Sequence, residues 1–455
     1  METEQRALTG WGRTAPTVAT VVRATADELG TDAVLSATVG ARGAIARGLG
    51  RSYGDPAQNG GGVVIELQPG EHPIRLDTET AVAHVDAGVS LDTLLREIVP
   101  RGFFVPVTPG TRFVTVGGAV ASDIHGKGHH ADGSFGAHVQ RMGMLLADGS
   151  RRSITPESDP DLWWATIGGM GLTGLITDVS FNVIPVETRH FAVETRRIAN
   201  FDALVAAMEE SDHRYRYSVA WIDLVATGKS LGRSVLSMGN HASLDELREL
   251  NPKAANHPLD FDPRVFPDVP NGVPNVLIRP SVRAFNELWY RKTPKHHHGT
   301  ESITQFFHPL DMVGQWTRLY GSRGFLQYQF VVPFDAVDTM RTIVARIADE
   351  GHASFLAVLK RFGAESGGLL SFPKPGWTLT LDLPAGVTGL GRLLSELDEL
   401  VLGVGGRHYL AKDAFATPAV VRRGYPRLDE WKSIRDAADP GGVWASDQAR
   451  RLHLI

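Results

Sequence analysis

Seven glycines punctuate residues 108–136 (TPGTRFVTVGGAVASDIHGKGHHADGSFG), interleaved with Thr111, Thr115, Ser122, His125, Lys127, His129 and His130. Glycine has no Cβ and tolerates positive φ, so such a segment brings backbone N–H groups close to a ligand. A second glycine-rich segment, RGLGRSYGDPAQNGGG, lies upstream at Arg47–Gly62, and a third, GGMGLTG, at Gly168–Gly174. Two such loops, one carrying imidazoles and an amine, suit a large phosphate-containing cofactor held by main-chain amides. These residues point to an enzyme.

Arg47–Gly62 contains no GxGxxG opening a helix, and Asp55-Pro56 and Gly60–Gly62 disfavour one there. A Rossmann site is therefore not expected. A nest, in which successive N–H groups converge on a diphosphate, is the functional reading, and a glycine turn without a ligand is the alternative. His125 and His129 would share a face only on a helix, which Gly126 and Gly128 oppose. No carboxylate stands at a fitting spacing, so no metal site is expected. His296–His298 reads as an exposed run. Lys412 follows a strand-like segment, with Tyr409 on its opposite side if the strand continues. A buried lysine can serve as acid, base or anion anchor, whereas a surface lysine snorkels. Gln327 and Gln329 lie two apart in an apolar strand and face one side, where a polar ligand or solvent takes their amides. Lys360 ends another apolar strand and reads the same way.

The elements that must position these groups follow from periodicity. Residues 18–30 (VATVVRATADELG) predict a helix stopped by Gly30. Gly62–Leu67 and Ala81–Ala87 predict strands, and Leu91–Val99 predicts an amphipathic helix capped by Ser90. Val139–Ala147 and Arg151–Ile154 flank Asp148-Gly149 as a hairpin. Leu175–Ile184 is a strand, and Pro185 marks a boundary. Beyond it, strands at His190–Arg197, Tyr217–Leu224, Gly324–Pro333, His352–Phe362 and Trp377–Leu383 alternate with helices at Phe201–Ser211, Asp335–Glu350 and Gly389–Val404. Residues 251–282 carry seven prolines that break every period, so a long mobile loop is expected there.

The 455 residues suffice for two or three domains. Lys+Arg numbers 46 against Asp+Glu 51, so no basic field favours nucleic acid. Cysteine is absent, which excludes disulfides, thiolate nucleophiles and zinc–thiolate sites. The opening METEQRALTGWGRTAP lacks an apolar signal region, and no apolar run is long enough to span a bilayer. A cytoplasmic protein, or one in peripheral contact with a membrane, is the expectation.

The three glycine motifs occur in a fixed order with HGKGHH, FLQYQFVVP, LSFPKPGW, YLAKD and YPRLDEW. Together they resemble the flavoprotein family of vanillyl-alcohol oxidase and p-cresol methylhydroxylase, nearly end to end from Leu8. The resemblance implies an α+β fold of two domains. An FAD-binding domain would span 1–189 and be completed by 406–455. An antiparallel-sheet substrate-binding domain would span 190–405, with the mobile loop near 251–282. FAD would be bound non-covalently, although some relatives attach flavin at the position of His125. The backbone of Arg47, Gly48, Leu49, Gly50, Arg51, Ser52, Tyr53, Gly54 and Asp55, and of Thr115, Val116, Gly117 and Gly118, would hold its diphosphate. Gly110, His125, Gly126, Lys127, Gly128, Ile176 and Tyr409 would line the rest. Lys412, Gln329, Lys360 and Tyr53 would face the substrate as catalytic residues, with Gln327 and Thr380 in the substrate pocket.

Within this family the motifs are most similar to members that oxidise the ribose 2′-hydroxyl of a polyprenyl-phosphoryl ribose. That resemblance implies the first half of an epimerisation supplying arabinose to cell-wall arabinan, completed by a separate NAD(P)H-dependent keto-reductase, and it admits a periplasmic location. Those members carry cysteine in the strand after Pro-Gly-Trp, where nitroaromatic inhibitors attach covalently. Thr380 stands at that place here, and a hydroxyl is a far weaker nucleophile. Turnover without covalent capture is expected. A sugar or alditol oxidase acting on lipid-free polyols, and a non-catalytic flavin-bound subunit of a cell-wall complex, are the alternative readings. The loop at 251–282, with Val265, Phe266, Val269, Val273, Val276, Leu277 and Ile278 among its prolines, would gate the pocket and meet the lipid tail.

Overall fold

A computed structural model describes residues 1–29, 40–351 and 355–455. Thr17–Thr25 is a strand, not the helix its apolar spacing predicts. Thr17, Val18, Thr20, Val21, Val22 and Thr25 are β-branched, which restricts χ1 in a helix and suits a pleated surface. The strand pairs antiparallel with Glu2–Leu8 and parallel with Val63–Gln68, which in turn takes Ala44–Ala46 parallel. Only Ala26–Leu29 is helical, and Gly30 lies outside the described residues.

The second sheet is antiparallel, in the order Ile74–Asp77, Val82–Asp86, Leu175–Asn182, Val139–Leu145, Arg151–Ile154. Its last two strands form the expected hairpin, with Gly149 at φ +78° in the turn. Helix Leu91–Ile98 covers it, and the Ser90 hydroxyl accepts from the Thr93 N–H. Val22, Ala24, Val63 and Ile65 of the first sheet meet Leu145 and Leu175 of the second around Trp444. The C-terminal segment thus returns to the N-terminal sheets. The Ala44 N–H donates to the Val443 carbonyl at 2.7 Å, and the Ala445 N–H to the Ala44 carbonyl at 2.8 Å.

The third sheet has eight strands: His296–Ser302, His190–Ile198, Ser234–His241, Tyr217–Ile222, Ala357–Phe362, Gly376–Pro384, Phe325–Val332 and Arg407–His408 in spatial order. Register sorts its two faces. Leu236, Ala220, Leu359, Leu379 and Phe330 form one cross-strand row. This row is buried with residues of helices Phe201–Ser211, Val337–Glu350 and Leu390–Gly403. One residue along each strand the side chains point the opposite way. There Val235, Trp221, Val358, Thr380 and Gln329 form a row that faces a cavity. The strand carrying Lys360 begins at Ala357; the expected start at His352 lies outside the described residues.

Residues 251–282 differ from the expectation of an unstructured loop. Backbone N–H groups of Phe266, Val269 and Val276 donate to the carbonyls of Met312, Gly314 and Leu319. Pro280 does not break a helix but starts one, Arg279–Lys292, because its missing N–H falls in the first turn.

Candidate active site

One cavity of about 840 Å³ lies between the face of the large sheet and the glycine-rich loops. Most site residues expected from the sequence line it: Arg47–Tyr53, Gly110, Thr115, Gly117, Gly118, His125–Lys127, Ile176, Gln327, Gln329, Lys360, Thr380, Tyr409 and Lys412. Four do not. Val116 is buried in the core behind it. A Cβ on Gly54 would lie 2.0 Å from the Asp413 carbonyl oxygen, so Gly54 serves chain packing. Asp55 pairs with Arg451, and Gly128 faces Asp132 and Tyr217.

The first glycine loop is pinned at both ends. The Arg47 N–H donates to the Ile65 carbonyl and the Tyr53 N–H to the Ala411 carbonyl, while the Arg47 guanidinium donates to the carbonyls of Thr9 and Ala57. Between these anchors the N–H groups of Gly48, Leu49, Gly50, Arg51 and Ser52 have no acceptor among the described residues. Gly50 sits at φ +63°, the left-handed conformation that lets neighbouring N–H groups converge. The second loop differs. The Val116 and Gly117 N–H groups donate to the Val89 and Ala87 carbonyls, and the Gly118 N–H to the Thr115 hydroxyl. Anion-binding amides are therefore open in Gly48–Ser52 but already paired at Val116–Gly118. Thr115 caps the helix Val116–Ala121 and spaces the two loops.

In the same cavity amines and amides meet. The Lys412 Nζ stands 4.1 Å from the centre of the Tyr53 ring. Tyr409 and Lys412 line the same cavity rather than opposite sides, because the strand ends at His408 and Leu410–Lys412 is a 3₁₀ turn. Residues three apart eclipse in such a turn. The Gln327 amide donates to the Tyr53 hydroxyl oxygen at 3.0 Å and to the Asp382 carboxyl. Asp382 also accepts from the Tyr320 hydroxyl. Burial raises its pKa, while the Lys412 ammonium opposes that rise. The Gln329 amide donates to His125 Nε2 at 2.9 Å and to the Thr378 hydroxyl. That leaves the proton of neutral His125 on Nδ1, which has no partner among the described residues. Burial and the neighbouring Lys360 hold the His125 pKa well below the ordinary value. Tyr409 stacks on Phe372, and its hydroxyl donates to the Ser122 carbonyl.

Desolvation depresses three buried lysines of the cavity: Lys360 to about 7, Lys127 and Lys412 to about 8. Lys127 donates to the Phe306 carbonyl over that residue's ring. His129 accepts from the Gly363 N–H.

This arrangement fits a dinucleotide cofactor. It supplies a run of five unpaired N–H groups for phosphates, and buried polar atoms without partners at His125 Nδ1, Gln327 Oε1 and Thr380 Oγ1. The volume lies towards the upper end for ligand pockets, about 300–1,000 Å³. Sequence reasoning missed Asp382, the single charged residue in the strand Gly376–Pro384; that contrast was the available signal. It also missed Trp289 and Lys292, whose helix turns Val282 and Asn286 inward and hides its apolar period behind the asparagine.

Comparison with known proteins agrees with this geometry. The family model described as an FAD binding domain matches residues 19–155. The chain is 48% identical to decaprenylphosphoryl-β-D-ribose oxidase of Mycolicibacterium smegmatis, over 100% of this chain and 98% of that protein. It is 38% identical to an uncharacterized protein of Streptomyces coelicolor, covering 80% of this chain and all of that one. It is 25% identical to alditol oxidase of a Streptomyces species, over 98% and 99% of the two chains. The chain belongs to the decaprenylphosphoryl-β-D-ribose oxidase family of FAD-dependent oxidoreductases.

Proposed function

We propose that this protein oxidises the ribose 2′-hydroxyl of decaprenylphosphoryl-β-D-ribose to the 2′-ketone. The product would pass to a separate NAD(P)H-dependent keto-reductase, completing an epimerisation that supplies arabinose for cell-wall arabinan. The observation that carries the reading is one cavity lined both by an unpaired amide nest and by Lys412, Lys360, Gln329 and Tyr53. The 48% identity over the whole chain selects the sugar of a lipid phosphate over a free polyol. Peripheral contact with a membrane follows from such a substrate; among the described residues no helix is long and apolar enough to cross one.

Residues 1–189 with 406–455 form the cofactor unit in this reading, and 190–405 the substrate unit. The Gly48–Ser52 amides hold the FAD diphosphate. Gly110, Gly117, Gly118, Ile176 and Tyr409 enclose the cofactor, which stays non-covalent. FAD, when bound, supplies the two-electron acceptor that takes the C2′ hydride. The chain's own residues handle the proton and the position of the sugar. Lys412 holds the reacting hydroxyl and stabilises negative charge developing on its oxygen. Tyr53 and Gln327 fix the amine from one side, and Gln329, Thr380 and Lys360 shape the sugar site on the sheet face. The hydroxyl proton leaves to an amine of this cluster as the C2′–O bond becomes a carbonyl.

Lys412→Ala tests the reading. Purified enzyme retains its flavin band, and anaerobic flavin reduction by substrate falls by about 10²-fold or more. Reduction at the wild-type rate removes Lys412 from the mechanism.

A further inference from the structure

Residues 266–292 carry several exposed apolar side chains, and Trp289 among them lines the cavity. Leu288 is 67% exposed, Phe266 63%, Ile278 55%, and Phe285 and Trp289 44% each. Three of these lie on one helix, Arg279–Lys292. Val282 and Asn286 tie the helix down: both are buried, and the Asn286 amide donates to Asp223 at 2.7 Å. The Tyr290 hydroxyl donates to the Ile198 carbonyl from the same side. Positions 285, 288 and 289 are left outward, with the Phe285 and Trp289 rings stacked at 6.3 Å. These three side chains form an apolar platform, and elsewhere in the segment the Phe266 N–H donates to the Met312 carbonyl.

Charge follows the same surface. The protein has a net charge of −5, yet residues 279–295 carry Arg279, Arg283, Arg291, Lys292 and Lys295 against Glu287 alone. All five basic residues are exposed. Trp289, Lys292, Thr293, Pro294 and His297 belong both to this surface and to the cavity wall. The apolar platform is therefore continuous with the site where the sugar is oxidised.

We infer that the helix Arg279–Lys292 docks on an anionic lipid bilayer, with Phe285, Leu288 and Trp289 entering the acyl boundary and the basic residues meeting lipid phosphates. An exposed helix with Phe, Leu and Trp on one face and flanking Lys and Arg has the composition of an interfacial helix. Apolar insertion and attraction to anionic headgroups supply the two signals that stable peripheral binding needs. Docked this way, the cavity mouth lies at headgroup depth. A polyprenyl-phosphoryl sugar can then enter headgroup first while its tail stays in the bilayer over Trp289. The inference deepens the oxidase reading by assigning how the lipid substrate is delivered.

The test is co-sedimentation of the full-length, FAD-loaded protein with vesicles of phosphatidylcholine alone or mixed equally with phosphatidylglycerol. Wild type pellets with the anionic vesicles and is released at high salt. Leu288→Glu and Arg283→Glu each weaken that binding about fivefold or more, with unchanged Tm and flavin spectrum; the exposure of both positions leaves folding intact. A wild type that stays in the supernatant, or variants that pellet as wild type does, overturns the docking helix. Flavin bleaching by a short-chain polyprenyl-phosphoryl ribose without vesicles is read in parallel. Equal bleaching in wild type and Leu288→Glu places the defect in docking alone. No bleaching in either counts against the oxidase reading, separately from the vesicle result.

Discussion

Lys360 lies in the same cavity wall as Lys412 and Lys127, and both neighbours make charging its amine harder. Burial contributes most, so all three titrate below the ordinary lysine value, Lys360 at about 7. An amine depressed in this way is neutral above its pKa and protonated below it. Only the neutral form accepts the proton of the substrate hydroxyl. The rate of anaerobic flavin reduction is therefore expected to rise with pH through about 7 as Lys360 loses its proton, up to tenfold per unit, and to fall again above about 8 as Lys412 loses the charge that stabilises the developing oxyanion. Stopped-flow absorbance from pH 5.5 to 9.5 measures this, and a flat profile contradicts amine proton acceptance. Thr380 makes a second prediction. Its hydroxyl lines the cavity without a protein partner. Nitroaromatic inhibitors that capture a thiol are expected to leave the wild type unmodified in intact mass, whereas Thr380→Cys gains the adduct. An adduct on the wild type would mean that nucleophilicity at this position does not decide capture.

At the scale of elements, the first glycine loop depends on the C-terminal segment packed behind it. Gly54 abuts the Asp413 carbonyl, and Arg451 bridges Asp55 and Asp413. Gly54→Ala forces that segment away and shifts the turn that carries Lys412. A loss of about 1–3 kcal/mol is expected, read as a lower Tm together with flavin lost on gel filtration. An unchanged Tm and full flavin content would show that the contact is not required. Legibility varied among the elements for physical reasons. Helix Phe201–Ser211 was readable because its inward residues Phe201, Leu204 and Met208 recur at helical spacing. The Ser90 cap was readable because a short polar side chain precedes an apolar stripe. Thr17–Thr25 was misread because its apolar residues fit two periods, and pairing with Val63–Gln68 decides between them. Whether Tyr409 and Lys412 share a side depends on the 3₁₀ turn between them, which no local residue signals. The unpaired amides of Gly48–Ser52 follow from tertiary anchors at Ile65 and Ala411, which local composition does not contain.

Across the whole molecule, one wall of the cavity is a sheet face whose register sets Thr380 and Gln329 side by side. The other wall is a set of loops held by two smaller sheets and the returning C-terminus. The amide nest and the amine cluster line one space, so cofactor and substrate chemistry require both walls together. The most direct test of that claim is an anaerobic absorbance spectrum of the FAD-loaded protein before and after adding decaprenyl- or farnesyl-phosphoryl ribose. A flavin band near roughly 450 nm, a property of the oxidised cofactor, is expected to bleach on mixing. A band that persists with this substrate while a free alditol bleaches it would contradict the account.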